Sequence, residues 1–82
     1  MPYRVSTLGK RALDWYARRP GTPSIINDLT DWQKQVLFFL EGREGFTTAH
    51  EIGLDLKLHP RAVSGIAYSL IKKGLVEKPK GE

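Results

Sequence analysis

Apolar residues recur along the chain at helical spacing in four separate stretches, each bounded by its own start or stop signal. In the first, Leu8, Ala12, Trp15 and Tyr16 stand at i, i+4, i+7 and i+8. They predict a helix from a Ser6 or Thr7 cap to about Arg19, with Lys10, Arg11, Asp14 and Arg18 on the opposite face. Tyr3-Arg4-Val5 before it reads as a short strand. Pro20-Gly21-Thr22-Pro23 ends the helix, because proline cannot continue it and glycine supplies the turn. The second stretch predicts a helix over about Asp31 to Glu41. Thr30 and Gln33 have capping-box spacing. Trp32, Val36, Leu37, Phe39 and Leu40 form a broad inward face, which makes this helix the expected centre of the core, and Gly42 and Gly45 end it.

The third helix is short, about Ala49 to Leu56, with Thr48 and Glu51 as a second capping box and Ile52 and Leu56 facing inward. Lys57-Leu58-His59 makes a turn. Pro60 then opens a fourth helix to about Lys73, proline being favoured at the first helical position. Val63, Ile66, Ala67, Leu70 and Ile71 line its buried face, and Gly74 suits the left-handed position after a helix end. Leu75-Val76-Glu77-Lys78 reads as a strand, and Pro79 to Glu82 as a frayed end.

With 82 residues the chain is expected to form one domain: residues 1–23 as N-terminal strand and helix, residues 30–80 as core helix, helix-turn-helix and wing strand. A domain this size buries only about 60–65% of its unfolded surface, so a leftover apolar face seeks a partner. The net charge of +4 favours a polyanion. Cysteine is absent, which removes disulfides, thiolate metal sites and cysteine nucleophiles. No apolar run approaches the ~20 residues of a membrane span and no signal peptide is visible, so the expected location is cytoplasmic, or nucleoid-associated in a prokaryote.

Two short helices, a tight turn and a Gly-Leu-Val strand make a helix-turn-helix with a wing. Thr48 to Lys78 resembles winged-helix transcription regulators of the MarR, ArsR and PadR types. The resemblance rests on Ala49, Ile52, Gly53 and Leu56 in the first helix, Leu58 in the turn, Val63-Ser64 in the recognition helix, and Leu70, Gly74, Leu75 and Val76 after it. It implies a mainly α fold with a small β wing. A second resemblance lies in Tyr3 to Leu13, which looks like the returning wing strand and following helix of these families, here ahead of the domain instead of behind it. Pairing of Tyr3–Val5 with Leu75–Lys78, within one chain or across a dimer, would rebuild the wing in permuted order and leave the latter strand no free edge. A coincidental Thr-Leu-Gly helix start is the competing reading.

An α-helix fits the major groove of B-DNA, so a reader of sequence needs a helix with a free polar face. On the fourth helix Arg61, Ser64, Gly65, Tyr68 and Lys72 point outward. Arg61 lies near the helix start, where such proteins reach base edges, and its guanidinium can hold guanine at two points. Ser64 can bond a base or phosphate. Gly65 permits close approach to DNA or to another helix, and Tyr68 is a stacking residue or a half-buried core tyrosine. Lys57, Lys72, Lys73, Lys78 and Lys80 supply phosphate attraction, and Thr48 can bond a phosphate beside the third helix. The expected partners are double-stranded DNA and, because one helix-turn-helix unit wants a second half-site, a second copy of the chain. The function so read is a small transcription regulator or nucleoid-type factor.

No enzyme, cofactor, metal or small-molecule substrate is expected. His50-Glu51 has the start of a zinc-protease motif, but Leu54 stands where its second histidine belongs. His50 and His59 have no third ligand near them and read as cap or surface residues. The alternative is a winged helix that binds protein alone. Trp15, Tyr16, Trp32, Phe38 and Phe39 are many aromatics for this size, most of them expected in the core, the remainder marking a partner surface. RNA binding lacks its stacked-aromatic sheet pattern.

Overall fold

The computed structural model describes residues 2–19 and 25–79. The elements run β1 (Pro2–Val5), α1 (Thr7–Arg18), a 3-10 turn (Ile25–Asp28), α2 (Asp31–Glu41), β2 (Thr47–Thr48), α3 (Ala49–Leu56), α4 (Pro60–Lys72) and β3 (Val76–Glu77). This is a winged helix, mainly α with a small antiparallel sheet. The stop expected at Pro20 to Pro23 lies outside the described residues.

α2 is the core helix the pattern predicts. Its capping box closes in both directions: the Gln33 backbone N–H donates to Thr30 Oγ1 at 3.2 Å, and the Thr30 N–H donates to Gln33 Oε1 at 2.9 Å. Val36, Leu37 and Leu40 are buried. They meet Ile52 of α3 and Val63, Ala67 and Leu70 of α4 in one core. Each fully buried aliphatic side chain contributes about 1.5–3 kcal/mol. The 3-10 turn, which no periodicity marked, adds Ile26, with Leu29 just after it.

The wing is completed within one chain, by the N-terminal strand. The strand order is β2-β1-β3, antiparallel throughout. Arg4 stands opposite Glu77 and Val5 opposite Val76, while Pro2 and Tyr3 stand opposite Thr48 and Thr47. Tyr3 and Val5 point into the core. Arg4 points the other way, donating to Glu77 Oε1 at 2.6 Å with its guanidinium 4.4 Å from the centre of the Phe46 ring. β1 is therefore the middle strand, and the expected closure of the Leu75–Lys78 edge holds on one side only. β3 spans Val76–Glu77 and remains an edge strand. The partner on the far side of β1, Thr47–Thr48, is too short to carry an alternation in sequence.

Two corrections concern the apolar faces. α1 turns Gly9 and Leu13 to the core, with Ala12 and Tyr16 half-buried, and leaves Leu8 and Trp15 exposed. The helix lies against backbone: a Cβ on Gly9 would overlap the Leu75 carbonyl oxygen and crowd Val5. That approach sets the rotation of α1 in place of the apolar pattern. The aromatics expected inside are also further out. Trp15, Trp32 and Phe38 are exposed by 43–45%, and Tyr16 and Phe39 are half-buried. The core is filled by aliphatic side chains and Tyr3. Arginine covers two of the outer rings, Arg19 at 4.5 Å from the Trp15 ring centre and Arg43 at 4.8 Å from that of Phe39.

Candidate nucleic-acid interface

The helix-turn-helix is built by local backbone chemistry. Thr48 caps α3, its Oγ1 accepting the Glu51 N–H at 3.2 Å. Lys57 ends α3 in the left-handed conformation, with φ of 59°. The Leu58 N–H then returns to the Gly53 carbonyl at 2.9 Å. Gly53 must lack a side chain here, because a Cβ would overlap the Leu58 carbonyl oxygen. His59 caps α4, its Nδ1 accepting the Arg61 N–H at 3.1 Å, and Pro60 fills the first turn.

α4 buries Val63, Ala67 and Leu70, with Ile66 and Ile71 half-buried beside them. It ends in a Schellman motif: the Leu75 N–H donates to the Leu70 carbonyl at 3.0 Å, and the Gly74 N–H to that of Ile71 at 2.9 Å, with Gly74 left-handed at φ 78°. That motif delivers the chain into β3. A polar link that sequence reasoning missed fixes α4 on α2. Gln33 Nε2 donates to Ser69 Oγ at 2.8 Å, and the Ser69 hydroxyl donates to the Ile66 carbonyl at 2.6 Å. The signal for it was weak, since a serine one turn before a helix end is commonly solvated.

The outward line of α4 is Arg61, Gly65, Tyr68 and Lys72, at i, i+4, i+7 and i+11, all exposed. Ser64 is half-buried beside it. Tyr68 is a surface residue and not a core tyrosine. The Lys72 ammonium lies 5.1 Å from the centre of its ring. Lys57, Lys73 and Lys78 are exposed. Among the described residues the ion pairs are Arg4–Glu77 and Arg18–Asp14, so no carboxylate neutralises Lys57, Arg61, Lys72, Lys73 or Lys78. Thr48 differs from its neighbours in this group. Its hydroxyl is engaged as the cap of α3, and its backbone stands in the sheet opposite Pro2. Lys80 lies outside the described residues.

Among the described residues no group of three His, Cys, Asp or Glu is placed to hold a metal, and no helix is long and apolar enough to cross a membrane. The cleft between β1 and the end of α2 mixes Arg4, Lys10 and Arg43 with Glu41, Glu44 and Glu77, so it presents no field of a single sign.

No curated protein and no solved structure matches the chain. A family model does, over residues 27–82, which takes in α2, the helix-turn-helix and β3 and leaves β1 and α1 outside. With that match over more than half the sequence, and with a helix-turn-helix and wing in place, the chain belongs to the MarR family of winged helix-turn-helix DNA-binding transcription regulators.

Proposed function

We propose that α4 is the recognition helix and enters the major groove of double-stranded DNA. The observation that carries this is the outward line of α4, which bears Arg61 and Lys72 without acidic partners and is flanked in sequence by Lys57 and Lys73. Arg61 reads a base edge. Ser64 and Tyr68 contact bases or backbone beside it. Lys57, Lys72, Lys73, Lys78 and Lys80 neutralise phosphates, with Thr48 as a further phosphate neighbour. The whole chain, residues 1–82, acts as one winged-helix domain without cofactor or metal, in the cytoplasm or on the nucleoid. It regulates transcription as a homodimer, and the exposed Phe38, with the Tyr16 ring centre 6.5 Å from its own, is an apolar surface available to a second copy.

Titration with random-sequence duplex at several salt concentrations, beside a sedimentation measurement of mass, tests this. A DNA-facing α4 gives an affinity that falls steeply with salt, and a dimer gives twice the chain mass. A strictly monomeric mass at tens of micromolar, with and without duplex, removes the homodimer. The same apolar surface favours the second reading, a winged helix that binds protein alone. Duplex binding that is absent while an apolar association barely responds to salt would establish it.

A further inference from the structure

Glycine inside a helix is markedly less favourable than alanine, so each such glycine calls for a physical reason. Gly9 and Gly53 have one within the chain, since a Cβ on either would overlap a backbone carbonyl oxygen. Gly65 does not. It lies inside α4, with helical backbone, exposed to solvent, and a Cβ built on it meets no atom within 4 Å. Its neighbours along the outward line are long, Arg61 one turn before and Tyr68 one turn after. The outer face of α4 is thus a saddle, low at Gly65 and raised at both ends.

We infer that Gly65 is the point of closest approach between α4 and the base edges of the major groove, the space of its missing methyl being filled by the C5 methyl of a thymine. This rests on the reading of α4 as the DNA-facing helix. A mid-helix glycine has its N–H committed to the helix ladder, so it offers a phosphate nothing. It offers a bare Cα to an apolar group, and the thymine methyl is the apolar group that base pairs present in that groove. A second copy of α4 is a poor occupant, because a two-fold contact centred on Gly65 would gather Arg61 and Lys72 of both copies in one seam, and α4 carries no acidic residue to offset them.

The test uses a duplex selected from a random pool by the wild-type chain, with each thymine replaced in turn by deoxyuridine. Gly65→Ala is expected to melt no lower than wild type yet to lose roughly tenfold in affinity for the selected duplex, with less loss on random duplex. Deoxyuridine at one thymine per half-site weakens wild type and restores Gly65→Ala. Unchanged affinity of Gly65→Ala, a loss that no deoxyuridine restores, or a fall in sedimenting mass overturns the inference. If Arg61→Ala and Lys72→Ala still weaken binding in that case, α4 keeps its place on DNA. If none of the three substitutions changes duplex binding, the reading of α4 itself is wrong.

Discussion

The Ser6 hydroxyl donates to the Gly74 carbonyl at 2.5 Å while accepting the Gly9 N–H at 2.9 Å. One side chain thus caps the start of α1 and ties it to the turn that ends α4. The Ser6 N–H reinforces the tie by donating to the Leu75 carbonyl at 3.0 Å. The segment outside the family match is thereby held to the end of α4.

Ser6→Ala is expected to destabilise the fold by about 1–2 kcal/mol, a lost cap together with an unpaired carbonyl. For a domain of this size that lowers Tm by roughly 4–8 °C per kcal/mol, readable in a thermal melt. Gly9→Ala should cost more, about 1–3 kcal/mol from overpacking in addition to any cap strain, because its Cβ meets backbone and not a flexible side chain. A Gly9→Ala melt equal to wild type would show that α1 does not lie against Leu75.

Deleting residues 1–5 should remove cooperative folding. β1 is the middle strand, so both β2 and β3 lose their partner, and the core loses Tyr3 and Val5. Those two side chains alone are worth about 3–6 kcal/mol, against a typical total of 5–15 kcal/mol. A truncated chain melting at the wild-type temperature would make the segment an ordinary tail.

Gln33→Glu separates the two duties of that side chain. Glutamate keeps an oxygen for the Thr30 N–H but cannot donate to Ser69 Oγ. The expected loss is about 0.5–1.5 kcal/mol, from the α2–α4 link alone, while Gln33→Ala also loses the acceptor for the Thr30 N–H, keeping only the backbone half of the capping box, and should be roughly twice as costly. Equal losses in chemical denaturation would mean that the link to Ser69 contributes nothing.

Arg61 and the lysines should behave differently on DNA. Arg61→Ala is expected to cost about 1–3 kcal/mol on a preferred site and to relax preference at one base pair. Lys72→Ala or Lys78→Ala should weaken all sequences alike and lower the salt slope by about one unit. If Arg61→Ala changes specific and random duplex by the same factor, Arg61 is a phosphate contact and the protein coats or shapes DNA instead of reading it.

Features set by neighbours within one or two turns were legible in the chain itself. Thr30 with Gln33, Thr48 before α3, Pro60 opening α4 and Gly74 after it each satisfy backbone groups a few residues away, so residue type and spacing specify them. The inward faces of α2 around Val36, Leu37 and Leu40, and of α4 around Val63, Ala67 and Leu70, follow from periodicity, and with the latter the outward line Arg61, Gly65, Tyr68 and Lys72. What depended on contacts between distant segments was not legible in the same way. Thr47–Thr48 forms a strand only because β1 lies beside it. The rotation of α1 was decided by how closely Gly9 approaches the Leu75 carbonyl, and the Gln33–Ser69 link by how α2 crosses α4. A wing-like string at Tyr3 to Leu13 hinted at the permuted wing, but the middle place of β1 needed the fold: two-residue strands have no pattern of their own, and their partners are chosen by the core that Tyr3 and Val5 enter.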